Sequence, residues 1–209
     1  MSSTSGYLLI VEDDPDILKL LNATLTYRGY RVVTAHNGKD GLEAVQKERP
    51  ALVIADIMMP KLDGFGLVHR LRINPETRTI PVIFITATFI SAEDKAFALD
   101  IGVTRFLQKP LDMDAFLRTL DQLLEQGQPA ALEPLEELSF YEGYRTRLEA
   151  KLIQKNRQVA RDEGLLNAHP EQDDLVLHAS LRQAIRERDE LKLLLDQVQA
   201  HLAKFAKSG

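Results

Sequence analysis

Val53-Ile54-Ala55-Asp56-Ile57-Met58-Met59-Pro60 is the stretch on which the fold turns. Its small and apolar residues read as a buried strand, and Asp56 is a lone carboxylate where that strand runs out. Pro60 has no N–H to give a ladder, so the strand does not continue as a paired central one. An Asp at the C-terminal end of a buried strand, followed by a loop, is where open α/β sheets place their chemistry. Taken alone, Asp56 reads equally well as a turn or N-cap aspartate. The neighbouring segments decide between the two.

On the N-terminal side, Tyr7 to Val11 is an apolar run that reads as a first buried strand. Glu12, Asp13 and Asp14 follow at once. Pro15 then opens a helix at its favoured first position, with Asp14 suited to the N-cap. Ile17, Leu18, Leu20, Leu21, Thr24 and Leu25 give that helix its apolar stripe, and Arg28-Gly29 ends it. Arg31 to Ala35 reads as a second strand. Asn37-Gly38 leads into a helix facing inward through Gly41, Leu42 and Val45, and Pro50 breaks the chain before the Asp56 strand.

On the C-terminal side, Asp63-Gly64 turns into a helix carrying Phe65, Leu67, Val68 and Leu71, closed by Asn74-Pro75. Pro81 to Thr86 is a fourth apolar strand ending in a hydroxyl residue. Ser91 is read as the cap of a helix through Ala98, stopped by Gly102. Val103 to Leu107 reads as a fifth strand, followed by Lys109-Pro110. A last amphipathic helix from Asp112 to about Gln126 faces inward through Phe116, Leu117, Leu120, Leu123 and Leu124.

Five buried strands alternating with five helices specify a doubly wound α/β domain with a parallel sheet, here over residues 1–126. In such a sheet every strand ends at the same edge. Glu12 and Asp13, Asp56, Thr86 and Lys109 therefore converge on one crevice. Crowded carboxylates repel one another unless a cation neutralises them, and an all-oxygen donor set suits a hard divalent ion, Mg²⁺ above all. Lys109 and the Thr86 hydroxyl would then be donors to phosphoryl oxygens. The chemistry favoured is phosphoryl transfer onto the Asp56 carboxylate.

Residues 7–126 resemble the receiver domain of two-component response regulators, a flavodoxin-like fold with strand order 2-1-3-4-5 and a chemotaxis-regulator-like site. Five signatures carry the resemblance: Val11-Glu12-Asp13-Asp14, Asp56 with Met58-Met59-Pro60, Asp63-Gly64, Thr86-Ala87 and Lys109-Pro110. The resemblance implies that Asp56 is the phosphoacceptor and that Asp13, Asp56 and the Met58 carbonyl hold Mg²⁺, with Glu12 acting through water. It also implies that Thr86 and Phe106 form a switch pair, and that a sensor histidine kinase supplies the phosphoryl group.

The composition agrees. Among 209 residues the chain has no cysteine, which excludes disulfides, thiolate nucleophiles and Cys-ligated zinc, and its net charge of −5 argues against nucleic acid as the main partner. No apolar run reaches membrane-spanning length, and Met1 to Gly6 has no signal-peptide character. A cytoplasmic location and no membrane insertion are expected.

Gly127 to Pro134 reads as a linker, and 135–209 as a helical hairpin or coiled coil serving dimerisation or protein docking. The first long helix, Glu136 to about Leu166 with Gly164 as its stop, has a patchy stripe broken by Lys155. Asn167 to Pro170 interrupts, and Asp173 or Asp174 can cap a second helix reaching about Phe205. That helix carries Leu177, Leu181, Ala184, Arg188, Leu191, Leu195, Val198, Leu202 and Phe205 at alternating spacings of four and three. Arg188 is the polar exception, either a register-setting residue or an arginine snorkelling off the seam. A four-helix bundle formed with a second chain is expected. From Gly127 onward Lys and Arg nearly balance Asp and Glu, and no helix-turn-helix pattern is evident. The output expected is a downstream protein partner rather than catalysis. The alternatives are an atypical DNA-binding transcriptional regulator, or a phosphorelay intermediate using His178, which lacks the neighbours of a phosphorylatable histidine.

Overall fold

The computed structural model describes residues 6–86, 92–127, 136–168 and 175–208. The chain divides into two compact units, Met1–Leu135 and Glu136–Gly209.

The first unit is built on five parallel strands: β1 (Leu8–Val11), β2 (Val32–Ala35), β3 (Leu52–Ala55), β4 (Val82–Thr86) and β5 (Arg105–Gln108). They pair in the order β2-β1-β3-β4-β5. Leu8 pairs with both Val32 and Leu52, Val53 pairs with Val82, and Phe84 pairs with Phe106. The helices are α1 (Pro15–Tyr27), α2 (Gly38–Lys47), α3 (Gly64–Ile73), α4 (Ala92–Asp100) and α5 (Met113–Gln126).

Alternation along the strands divides the core. Leu8, Ile10, Leu52, Ile54, Ile83 and Ile85 pack with Leu18, Leu21 and Leu25 of α1 and Phe116, Leu117, Leu120 and Leu123 of α5. The intervening side chains face the opposite helices: Val11 lies against Gly41 of α2, and the Phe84 ring meets Phe65 of α3 edge-on at 5.7 Å. The three central strands are buried on both faces, which is why they read as unbroken apolar runs. The edge strands β2 and β5 are only part-buried.

Local chemistry sets the helix starts. Asp14 caps α1, its Oδ1 accepting from the N–H groups of Asp16 and Ile17 at 2.9 and 3.1 Å. Asn37, Asp63 and Asp112 cap α2, α3 and α5 in the same way. The sequence boundaries shift in several places: β1 and β4 each begin one residue later than read, at Leu8 and Val82. α4 runs two residues past Ala98, to Asp100, and the Ser91 cap lies outside the described residues. β2 begins one residue later than expected, at Val32. β5 begins at Arg105, because Val103 and Thr104 are still leaving the turn at Gly102, whose φ of 93° ends the helix. That turn is gripped from inside: the buried Arg72 donates from Nε and Nη2 to the Gly102 carbonyl at 3.2 and 2.7 Å.

The second unit is two long antiparallel helices, α6 (Glu137–Ala168) and α7 (Leu175–Ser208). Gly164 does not stop α6. It is exposed near the C-terminal end of the helix, where glycine costs only about 1 kcal/mol relative to alanine and does not outweigh the contacts of the buried Asp162 just before it. The proposed caps Asp173 and Asp174, and Gln128 to Pro134 of the linker, lie outside the described residues. The seam of α7 is narrower than its heptad implied: Ala184, Leu191, Leu194 and Val198 are buried, whereas Leu181, Arg188, Leu195 and Leu202 are only half-buried. Leu194 enters the seam in place of Leu195. The guanidinium of Arg188 turns aside to Asp189, with its Nη2 2.8 Å from Oδ1. Across the seam, Lys155 pairs with Glu187 at 2.5 Å, Ser180 donates to the buried Asp162 at 3.1 Å, and Tyr141 stacks on His201 at 4.8 Å.

Candidate functional site

The C-terminal edge of the sheet brings together residues far apart in sequence. Glu12 follows β1, its N–H donating to the Ala35 carbonyl at 3.0 Å, and Asp56 follows β3, donating to the Val11 carbonyl at 2.9 Å. Lys109 follows β5, donating to the Thr86 carbonyl at 2.9 Å. These ladder extensions fix three backbones at one level before any side chain is considered. The side chains then meet: Lys109 Nζ lies 2.7 Å from Glu12 Oε2 and 2.9 Å from Asp56 Oδ2. Glu12, Asp13 and Asp56 each offer a carboxylate oxygen within 4.8 Å of the others, with Asp13 exposed and the other two buried.

Asp56 is held from its own loop. Its Oδ1 accepts from the N–H of Ile57 at 2.5 Å and of Met58 at 3.4 Å. The loop in turn is fixed by α3: the Gly64 N–H donates to the Ile57 carbonyl at 2.8 Å, and Asp63 Oδ1 accepts from Gly66 at 2.9 Å. A Cβ at Gly64 would lie 2.5 Å from the Asp56 carbonyl oxygen and 2.9 Å from Ile57 Cα, so only glycine lets α3 begin this close to the strand end. Sequence reading missed two further restraints. Lys61 takes a left-handed φ of 66°, and the Leu62 carbonyl accepts from Gly38 at 2.9 Å, tying the β3–α3 loop to the start of α2. The Asn37-Gly38 and Asp63-Gly64 pairs were legible as turns, but nothing in the sequence says that they touch.

Burial and crowding shape the charges. The Glu12 carboxyl is pushed up to about 7, first by burial and then by the Asp56 charge, against the opposing pull of Lys109. Asp13 is raised for the same two reasons. Burial alone would lower Lys109, but the carboxylates of Asp56 and Glu12 outweigh it, and the ammonium is held on above its ordinary range. The cluster therefore carries more negative charge than one lysine balances. Its all-oxygen donors fit a hard divalent cation of the Mg²⁺ kind.

Thr86 is buried at the end of β4, and Phe106 is half-buried on β5, its ring 5.6 Å from Phe84. The strand register sets Phe106 beside Phe84, two residues before Thr86. Met58 is half-buried in the loop after Asp56. His178 is in the second unit, half-buried near the start of α7. The other candidate phosphorylation, metal and switch residues named from sequence belong to the first unit.

This fold and site define a class: the chain belongs to the response regulator receiver domain family, whose model matches residues 8–121. Homologues with this domain are response regulators of two-component systems. The family binds Mg²⁺ through such an acidic pocket and interacts with sensor histidine kinases. The chain is 39% identical over 164 residues to the transcriptional regulatory protein GlrR of Escherichia coli (strain K12), covering 78% of this chain but only 35% of GlrR. It is 38% identical over 117 residues to protein PilH of Pseudomonas aeruginosa, covering 56% of this chain and 96% of PilH. The solved structure of the chemotaxis response regulator CheY4 of Vibrio cholerae matches with a TM-score of 0.53 at 32% identity, over 56% of this chain and 97% of that one. Among the described residues no DNA-binding domain is present: the second unit is a pair of long helices, without the short-helix arrangement that presents a recognition helix. No helix there is long and apolar enough to cross a membrane.

Proposed function

We propose that Asp56 accepts a phosphoryl group from a phosphohistidine of a sensor kinase, and that the charge so created is read out through the α6–α7 hairpin. The observation that supports this most is the meeting of Glu12, Asp13, Asp56 and Lys109 at one sheet edge. In the transfer an Asp56 carboxylate oxygen forms a bond to phosphorus as the phosphorus–nitrogen bond of the donor breaks. The product is an acyl phosphate and a released imidazole. Glu12, Asp13, Asp56 and the Met58 carbonyl would hold Mg²⁺, which when bound neutralises the phosphoryl oxygens.

The chain's own residues do the rest. The N–H groups of Ile57 and Met58 orient the Asp56 carboxylate. Lys109, already within 2.9 Å of Asp56, moves its ammonium onto a phosphoryl oxygen as charge arrives. The Thr86 hydroxyl donates to another, and the Phe106 ring turns inward after it. The adduct that forms with Mg²⁺ and acetyl phosphate tests the reading: an acid-labile phosphoryl group is expected, absent in Asp56→Ala. An adduct that survives that substitution sinks it.

The output is a protein-docking and dimerisation module. The hairpin's near-balanced charge and extended apolar seam support a helical partner over nucleic acid. No catalytic output domain accompanies it among the described residues.

A further inference from the structure

We propose that a second copy of this chain docks on one particular flank of the α6–α7 hairpin, the flank lined by Leu152, Leu166, Leu181, Leu195 and Leu202. The inference rests on the reading of the hairpin as a pairing module and specifies its surface and arrangement.

The register of the hairpin is constant along its length. Tyr141 meets His201, Lys155 meets Glu187 and Asp162 meets Ser180, so each step forward on α6 is matched by an equal step back on α7. The same register sets the buried Leu148 opposite the buried Leu194. Residues seven apart drift by only about 20° around a helix, so each stripe below stays on one face.

The central stripes are Tyr141, Leu148, Lys155 and Asp162 on α6, and Ala184, Leu191 and Val198 on α7. Two antiparallel helices are related by a local two-fold, so positions three after a central residue share one flank on both helices. Positions four after share the other. The first flank is Tyr144, Lys151, Gln158 and the exposed Leu165 with Ser180, Glu187, Leu194 and His201. It is largely polar and closed upon itself: Lys155 reaches both Gln158 and Glu187, and Ser180 is bonded to Asp162. The second flank is Arg145, Leu152, Val159 and Leu166 with Leu181, Arg188, Leu195 and Leu202, six of eight positions apolar. Of these only Val159 is fully buried, and the five leucines are half-buried within one chain. A hairpin standing alone has no use for leucine at both sets of positions. A bundle of four helices does, because each helix then needs a stripe wider than one seam.

The dimensions and charges select a second copy as the occupant. A flank about 40 Å long and about 18 Å wide offers on the order of 700 Å² per chain, close to the ~800 Å² per partner of a stable interface. Its margins differ in sign. Glu142, Glu149 and Glu163 border it on α6, with Arg145 of the flank 3.9 Å from Glu149, whereas Arg188 lies within its α7 half and Lys192 borders it, both beside Asp189. A two-fold axis parallel to the helices lays α6 of one copy over α7 of the other, acid against base. An axis across the helices would instead set acid against acid. With the first axis and the observed register, Glu149 lies level with Lys192 of the second copy. Both are about half exposed within one chain, with side-chain exposures of 48% and 50%.

The test is the mass of the full chain in solution across the micromolar range, by analytical ultracentrifugation, with helicity followed by circular dichroism. Wild type is expected as a dimer. Leu195→Glu is expected as a monomer with unchanged helicity, and Gln154→Glu, on the opposite margin, as a dimer. Glu149→Lys should weaken the dimer by about ten-fold, and adding Lys192→Glu should restore it to within about two-fold. A monomeric wild type, or a dimer that persists in Leu195→Glu, overturns the proposal; an unrestored charge swap overturns the arrangement. Acyl-phosphate formation measured on the same samples keeps the receiver reading separate, since its failure would leave the masses unchanged.

Discussion

Two buried groups in the first unit titrate in opposite senses. The Glu12 carboxyl stands at about 7 in the folded chain, above its ordinary 4.5, because burial and the Asp56 charge disfavour its ionised form. The folded state therefore binds the proton more tightly. The stability this gives is complete below pH 4.5 and is lost as pH rises through 7. His69, buried in α3, is lowered to about 4 by burial and then by the charge of Arg70. Its unfolded form binds the proton more tightly, so stability is complete above pH 6.5 and lost as pH falls toward 4. Without divalent cations the two slopes therefore oppose one another between about pH 4.5 and 6.5, and the melting temperature should change little across that window. Glu12→Gln should leave it rising with pH there and His69→Gln should leave it falling, each measured by thermal melts at fixed ionic strength. Added Mg²⁺ should raise the melting temperature above about pH 7 in wild type and do so much less in Glu12→Gln. An equal Mg²⁺ effect in both proteins would remove Glu12 from the metal site.

Most elements were legible in the sequence, for reasons that vary by element. β1, β3 and β4 are buried on both faces, and such strands announce themselves as apolar runs. α1, α2, α3 and α5 carry side-chain caps at their first turns. β5 is an edge strand with exposed Arg105 and Gln108, so its apolar residues do not mark its limits. Gly164 misled because an exposed glycine in a helix held by tertiary contacts is a cost and not a terminator. Of the candidate site, Glu12, Asp13, Asp56, Thr86 and Lys109 followed from topology, since parallel strands end together. The clamp of Leu62 on Gly38 could not be read, because it depends on two loops meeting in space. The tight approach of α3 to β3 predicts that Gly64→Ala forces backbone to move, costing about 1–3 kcal/mol in urea unfolding. It should also slow phosphorylation, because the displaced atoms belong to Asp56 and Ile57. Unchanged stability and rate would mean that the loop yields freely.

At the scale of the whole molecule, the proposed signal must pass from a charge on the first unit to a state of the second. α5 ends at Gln126 and the chain then leads to α6, so a switch that moves β5 and α5 acts at the root of the hairpin by covalent continuity. Coupling between sites is reciprocal: if phosphorylation changes the dimer affinity, dimerisation changes the stability of the phosphoryl group by the same factor. Couplings of this kind amount to about 1–3 kcal/mol, or roughly 5- to 150-fold in affinity. The phosphorylated chain should therefore show a dimer dissociation constant at least about 5-fold different from that of Asp56→Ala under the same conditions, by sedimentation equilibrium. Identical constants, with unchanged protease sensitivity of the hairpin, would show that the two units act independently.

The central claim is that Asp56 itself carries the phosphoryl group, and reductive trapping addresses it directly. Borohydride reduces an acyl phosphate to the alcohol, so protein treated with acetyl phosphate and Mg²⁺, then reduced and digested, should contain homoserine at position 56 and unaltered Glu12 and Asp13. Aspartate left intact at position 56, or the alcohol appearing at Glu12 or Asp13 instead, would contradict the account.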